Sequence, residues 1–446
     1  MTHAPTNPGR RTVLATAAAA AVVVPAREQA RPLVIVTSYS RDVTGPIVAA
    51  FEKRHPDIKV QIQNRNTAAA VAFIRETRSA PPDIMWASAP DAFEVLKKDQ
   101  LLQRHRPQAT GIAEKVGAYP VNDPDGYFFG FAASGYGIMF NTRYLRANDL
   151  PVPKEWDDLA KPIYAGHVGI SAPSRSGTTH LTIETILQGE GWDKGWALLL
   201  AMAGNFAAVS DRSFGVPDAV NSGQYGLGIV IDFFGFSAKA SGFPVDFVYP
   251  SVTTLVPANV AIIANAPNAA AAATFIDFLL SPEGQEILLD PKLMRLPVRP
   301  ETYAKAPPGF PNPFRDASLG ARLTFDSAKS ERRYELVNSL FDRLITFRLR
   351  ELNAAWKAIH AAEARLARRD NAEARRLVTE ARAKATAVPI TEAQSLDPAF
   401  AAIFQPTRPD RPAPARQAQI EEQWDAFARA NLAEAQRLAE QSARTG

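Results

Sequence analysis

Nine consecutive residues, Ser171-Ala172-Pro173-Ser174-Arg175-Ser176-Gly177-Thr178-Thr179, gather five hydroxyls, a guanidinium and a glycine into one short segment. Where such a segment leads from a strand into a helix, the unpaired N–H groups of the first helical turn carry a partial positive charge of about half a unit, which favours an anion. Ser174, Ser176, Thr178 and Thr179 can donate hydroxyl hydrogen bonds, Gly177 permits close backbone approach, and Arg175 either neutralises charge or faces solvent. The same residue types also make an ordinary Ser/Thr helix cap with no ligand. Two further loops are of similar character. Thr37-Ser38-Tyr39-Ser40 offers the Ser38 and Ser40 hydroxyls beside the flat ring of Tyr39, and Ser88 lies in Trp86-Ala87-Ser88-Ala89-Pro90. Arg212, in Ser210-Asp211-Arg212-Ser213, carries a planar fork suited to phosphate or carboxylate, or else pairs with Asp211 or Asp218. Asp232 ends the run Gly226–Ile231, where it either accepts hydroxyl hydrogen bonds from a ligand or caps a helix.

These loops need strands and helices to place them. Leu33–Thr37, Lys59–Ile62 and Asp83–Trp86 read as strands, alternating with helical patterns over Val43–Arg54, Ala68–Arg78 and Phe93–Lys98. A second unit of the same kind begins at His167–Ser171 and continues with a helix over Thr178–Gln188. Gly135–Asn141 and Gly226–Asp232 read as extended, Ala261–Ile263 as a strand, and Ala269–Leu280 as a long helix. The rhythm predicts an α/β fold with a largely parallel sheet, in two lobes joined by chain crossings. Sites in such folds lie at strand C-terminal ends and between domains.

Beyond residue 320 the character changes. Of 25 glycines, 24 lie at or before Gly320, and residues 321–388 hold neither Gly nor Pro. Leu336, Leu340 and Leu344, then Ile345, Leu349, Leu352, Trp356 and Ile359, recur at helical steps. A proline-rich joint (Pro406, Pro409, Pro412, Pro414) precedes a second helical pattern through Ile420, Trp424, Phe427 and Leu438. The expected organisation is therefore lobe 1 over 31–134, lobe 2 over 135–250, a return to lobe 1 over 251–320 and a helical extension over 321–446. The extension is expected to pack on lobe 2 or on itself, or to offer a docking surface to a partner. Deleting residues 321–446 is expected to spare solute uptake in an importer but to abolish signalling in a sensor.

Length and composition narrow the function. The 446 residues are 46% hydrophobic and 22% charged with a net charge of +4, which makes no case for nucleic acid. The absence of cysteine excludes disulfides, thiolate metal sites and cysteine nucleophiles. Arg10 and Arg11 followed by the apolar run Val13–Val24 and the small residues around Pro25 read as an export signal over residues 1–30. Twelve apolar residues span roughly 18 Å as a helix, too little for a bilayer core. No nucleophile elbow, phosphate-binding lysine loop or zinc-helix motif is present, so catalysis and a cofactor are not expected.

The order of motifs resembles one family. The strand-to-loop opening Leu33–Ser40, the passage Phe51–Val60, Pro82-Asp83-Ile84 before Trp86-Ala87-Ser88, the crossing Gly135-Tyr136-Gly137, and Leu279-Leu280-Ser281-Pro282-Glu283-Gly284-Gln285 are similar to the periplasmic solute-binding proteins of ABC importers. The likeness covers about residues 30–305 and lies toward the ferric-ion, sugar-phosphate and phosphoglycerate-transport regulatory branch. It implies a type II two-lobed binding protein whose hinge closes on a small solute and whose closed form meets a membrane permease. Ferric binders of the branch use adjacent tyrosines. Here Phe233-Phe234 stand there without a donor atom, and no histidine pair has ligand spacing, so no metal is expected and an organic anion is. A periplasmic sensor that reports to a signalling partner such as a sensor kinase, a ferric binder, and a hydrolase on the same fold are the rival readings.

Overall fold

The computed structural model describes residues 1–4, 31–316, 319, 323–405 and 412–445. The expected export segment falls almost wholly outside the described residues, as do Pro406 and Pro409 of the joint before the last helix. Both lobes and the extension belong to one unit that begins at Pro32.

Lobe 1 opens with β1 (Leu33–Thr37), α1 (Arg41–Arg54), β2 (Val60–Asn64), α2 (Thr67–Glu76), β3 (Ile84–Ala87) and α3 (Pro90–Lys98). β1 pairs in parallel with both β2 and β3. The chain then runs into β4 (Phe129–Asn141), 13 residues buried on both faces. Lobe 2 follows with β5 (Val168–Ser171), α4 (Gly177–Glu190), α5 (Trp192–Ala203), β6 (Phe206–Ser210), α6 (Gly215–Ser222), β7 (Leu227–Ile231), α7 (Asp232–Ala240) and β8 (Val245–Val248). The return is β9 (Leu255–Ile263) and α8 (Ala269–Leu280).

The strand order is β2-β1-β3-β9-β4-β7-β5-β6. Within each lobe the pairs β1/β2, β1/β3, β5/β7 and β5/β6 are parallel, as the βαβ rhythm requires. The crossing strand β4 and the return strand β9 are not: β4 runs antiparallel to β9, β7 and β8, and β9 antiparallel to β3. The sheet is thus mixed rather than largely parallel. β4 changes partner midway. Gly135 is the last residue to face β9, and Tyr136 is the first to face β7. A Cβ at Gly135 would sit 2.7 Å from the Tyr249 ring, so glycine is required where the two lobes meet. Lobe 1 is filled around Ile35, Phe51, Trp86 and Phe275, lobe 2 around Ile170, Ile186, Trp196 and Phe206.

The extension consists of α9 (Ser327–Arg332), α10 (Tyr334–Leu344), α11 (Leu349–Leu366), α12 (Ala372–Ala385) and the 31-residue α13 (Ala415–Thr445), with shorter turns between. The single amphipathic stripe from Leu336 to Ile359 is broken at Ile345–Arg348. The cause is legible in the spacing: Leu344 and Ile345 are adjacent, so one continuous helix would rotate the second half of the stripe by about 100° from the first. The break restores a common buried side. Leu336, Leu340, Trp356, Ile359, Trp424 and Leu438 then join Trp196 and Phe206 in one core. Arg333 and Glu184, both inaccessible to solvent, form a fork-to-fork ion pair with two contacts of 2.8 Å. Burial alone would raise the Glu184 carboxyl, and the Arg333 guanidinium overcomes this and holds it below the usual range.

The extension packs on lobe 2 through this shared core, so its removal would expose lobe 2. Trp356 sits at the seam, so close that a Cβ on Gly204 would lie 2.3 Å from its ring. Trp356→Ala is expected to cost about 3–5 kcal/mol. In calorimetry, lobe 2 and the extension should lower their unfolding temperature together. A separate early transition of the extension would contradict the shared core.

Candidate functional site

The loops singled out by type do come together, at the face where β1, β3, β5 and β7 end. Tyr39 is buried, and its hydroxyl lies 2.8 Å from that of Ser88, also buried. Burial raises the Tyr39 phenol, and the nearby Arg295 guanidinium works in the opposite direction. Ser40 is half-buried and precedes the first turn of α1 without making a side-chain cap. Ser38 is half-buried and its hydroxyl belongs to the same loop.

The lobe 2 segment is more structural than its composition suggested. Ser176 caps α4 by accepting from the Thr179 N–H at 3.2 Å, its hydroxyl meets that of Thr178 at 2.8 Å, and Thr179 is bonded to Ser171. Ser174 lies beside Asp342 of α10. Arg175 pairs with Asp211 at the surface. The Gly177 N–H reaches across to the Thr67 hydroxyl of lobe 1 at 3.3 Å, and a Cβ there would sit 2.6 Å from that of Ala89. Close backbone approach is what Gly177 provides, and in this structure the surface approached is lobe 1. Arg212 makes neither of the ion pairs considered for it. Its guanidinium donates to Asn64 of lobe 1 at 2.7 Å and lies 4.9 Å from the Phe214 ring centre. The two lobes are therefore in contact across the cleft.

The residue that sequence reasoning missed is Arg295. It is wholly buried, yet among the described residues no carboxylate is bonded to it. One nitrogen, Nη2, donates to Ser88 at 2.6 Å and to Ser134 at 3.4 Å, while Nε and Nη1 have no partner among the described residues. Three rings surround it: Phe233 at 4.3 Å, Tyr39 at 4.7 Å and Phe131 at 5.3 Å from the guanidinium carbon. Tyr39 and Phe131 belong to lobe 1 and Phe233 to lobe 2, so the cage closes only when the lobes meet. The signal available in the sequence was a lone arginine inside the apolar stretch Leu293–Val298.

Asp232 is a buried carboxylate close enough to Arg295 to feel its charge. It is not a bare cleft acid: it accepts from the Gly135 N–H at 2.6 Å, the Tyr249 hydroxyl at 2.8 Å and the Phe233 N–H at 2.7 Å. It thereby ties β7 to the point where β4 changes lobes. Burial pushes its carboxyl up to about 6, against these hydrogen bonds and Arg295, which pull it down.

Next to Phe233 lies a cavity of about 420 Å³ between the lobes. Lobe 1 contributes Ser40, Asp42 and Lys292, and lobe 2 contributes Phe214, Asp218, Asn221 and Ser237. The first turns of α1 and α6 open toward it from opposite sides, neither with a side-chain cap. The Asp218 carboxyl is raised by burial and then by Asp42 facing it. Among the described residues no cluster of three or more metal-ligating side chains exists.

The bacterial extracellular solute-binding protein family model matches residues 79–330, more than half of the chain. The chain belongs to this family. The phosphoglycerate transport regulatory protein PgtC of Salmonella typhimurium is 32% identical over 374 residues, which is 84% of this chain and 90% of that protein. That alignment is longer than the 290 residues from 31 to 320, so it reaches into the extension. Among solved structures, the periplasmic binding protein AfuA of Actinobacillus pleuropneumoniae, with fructose-6-phosphate bound, matches 70% of this chain and 98% of its own with TM-score 0.62 at 24% identity. The periplasmic binding protein P5PA matches 70% of this chain and 99% of its own with TM-score 0.63 at 22% identity. These likenesses establish the two-lobed type II fold, with the C-terminal helices as an addition to it. The protein is a periplasmic solute-binding protein of the ABC-importer kind, a class that binds its solute and leaves it chemically unchanged.

The raised Asp232 carboxyl has a consequence for stability. Its folded value of about 6 exceeds the ordinary value of about 4, so its contribution is fully present below about pH 4 and is lost as pH rises through 6. Two units correspond to about 3 kcal/mol. Comparing the unfolding midpoints of Asp232→Asn and the native protein, the variant should gain on the native protein between pH 4 and pH 7. Parallel midpoint curves would show that Asp232 titrates normally.

Proposed function

We propose that the cleft captures a small phosphorylated or carboxylated organic anion, and that Arg295 is its principal contact. The observation that supports this most is the pair of unbonded guanidinium donors, Nε and Nη1, on a fully buried arginine with no bonded carboxylate. A buried cation carries a desolvation cost of several kcal/mol that only an anion offsets well. A phosphate or carboxylate placed against Nε and Nη1 would complete the fork, with the Tyr39, Ser88 and Ser134 hydroxyls as further neighbours. The remaining body of the ligand would occupy the cavity beside Phe233, where Ser40, Asn221 and Ser237 suit hydroxyl oxygens. In this reading Ser176, Gly177 and Thr179 serve the site by fixing the start of α4.

The name of the Salmonella relative makes a phosphoglycerate the first compound to test, and the ligand of AfuA makes a sugar phosphate the second. Closure around the anion would present both lobes to a membrane permease. The reach of that relative's alignment into the extension, together with the word regulatory in its name, also favours a signalling partner that reads the same closed form. Iron finds no support here, since Phe233 and Phe234 offer no oxygen.

Titration calorimetry with 3-phosphoglycerate, glycerate and fructose 6-phosphate tests the reading. A phosphorylated ligand should bind the native protein, and Arg295→Met should weaken it about a hundredfold or more, two charge-assisted hydrogen bonds being worth about 3–6 kcal/mol. The same variant, freed of an unpaired buried charge, should unfold no earlier than the native protein without ligand. Retained affinity in a folded Arg295→Met would remove Arg295 from the site.

A further inference from the structure

The extension touches more than lobe 2. Most of it is joined to lobe 2 through the common core, but its first helix, α9, lies against α3 of lobe 1. The contact is polar and buried. The Ser330 hydroxyl of α9 donates to Oδ2 of Asp91 on α3 at 3.0 Å, and Nε2 of His180 on α4 lies 3.1 Å from the Ser330 oxygen and 3.3 Å from Asp91 Oδ2. Nδ1 of His180 meets Oδ1 of Asn338 on α10 at 2.8 Å, and its ring lies 4.1 Å from that of Tyr334. Asp91, His180 and Ser330 are all wholly inaccessible to solvent. One cluster thus draws a residue from lobe 1, one from lobe 2 and three from the extension. At its rim, Lys98 of α3 pairs with Glu331 of α9 at 3.0 Å.

The lobe 2 members of this cluster belong to the helix whose N-terminal turn faces the cleft. His180 follows Thr179 directly, and Glu184, one turn on, is the buried partner of Arg333. α4 is therefore held at its first turn by lobe 1, through Gly177 and Thr67, and at its second and third turns by the extension.

We infer that the α9 segment of the extension is a strap that joins lobe 2 to α3 of lobe 1 and so sets the balance between open and closed cleft, with Ser330 and Glu331 as positioning residues for binding. A hinge rotation that opens the cleft must separate α3 from α4 or carry α9 with one of them. Because α10 to α13 share the lobe 2 core, the strap travels with lobe 2, and the contacts to Asp91 and Lys98 are the ones that break. Occupancy of the cleft and the position of α9 against α3 are then two readouts of one equilibrium, which gives an outside partner something to read. The inference rests on the cleft reading above for the identity of the ligand, though not for the existence of the strap.

The chain has no cysteine, so two introduced ones label it uniquely. Spin labels at Arg41→Cys and Lys239→Cys, both exposed and in helices bordering the cavity from opposite lobes, report the width of the cleft in ligand-free protein by pulsed electron resonance. Glu331→Lys should add a longer distance to the distribution, and Lys98→Glu combined with Glu331→Lys should restore the original one. Ser330→Ala should act in the same direction as Glu331→Lys. Calorimetry on the same proteins should show 3-phosphoglycerate binding weakened about threefold by Glu331→Lys and regained in the charge swap. Distances unaltered in both single variants would overturn the strap, as would an opening that the charge swap leaves unrepaired. If 3-phosphoglycerate gives no heat with the native protein, the ligand reading fails while the distances still decide the strap.

Discussion

A guanidinium buried without a bonded carboxylate is the constraint around which this molecule is arranged. The interior gives the Arg295 guanidinium two serine oxygens and three aromatic faces in place of water. Ring faces return only part of the lost hydration, and two donors stay unused. Asp232 lies near enough to act on it electrostatically, but its oxygens are committed to Gly135, Phe233 and Tyr249. Charge and donors are thus stored at the place where the lobes meet. Such an arrangement costs stability and is retained where a ligand of opposite charge completes it.

The surrounding scaffold keeps that place at a boundary. β4 crosses between lobes, and glycine at 135 lets the Tyr249 ring pack against the crossing where a side chain would collide. The aromatic cage takes two rings from lobe 1 and one from lobe 2, so rotation about the crossing strand would dismantle it. The helical extension is continuous with the lobe 2 core and reaches lobe 1 through α9. A binding protein that needs only to capture and deliver has no evident need for such an addition. Its attachment on both sides of the cleft links it to the opening motion.

Much of this architecture was legible in the sequence because it follows from short-range rules. The βαβ rhythm, the end of glycine use near residue 320 and the helical stripe beyond it place the lobes and the extension. The loops at Tyr39 and Ser88 were found from residue type at strand ends. What escaped depends on distant pairing. The antiparallel crossing cannot be read from periodicity, because a strand buried on both faces looks the same whichever way its neighbours run. Ser176 and Thr179 advertise an anion site and a helix cap in the same letters, and here their hydroxyls are engaged with each other. Arg295 was passed over because its meaning comes from what does not touch it, and a string of residues cannot display a missing partner. His180 looks in the sequence like any other residue of its helix, yet its partners come from three separate stretches of chain.

The most direct test is a crystal structure of the protein grown with 3-phosphoglycerate or fructose 6-phosphate. The buried guanidinium predicts a phosphate or carboxylate oxygen within hydrogen-bond distance of Arg295 Nε or Nη1, with Tyr39, Phe131 and Phe233 closed around it. A ligand bound elsewhere in the cleft, with those two nitrogens still unbonded, would contradict its role in binding.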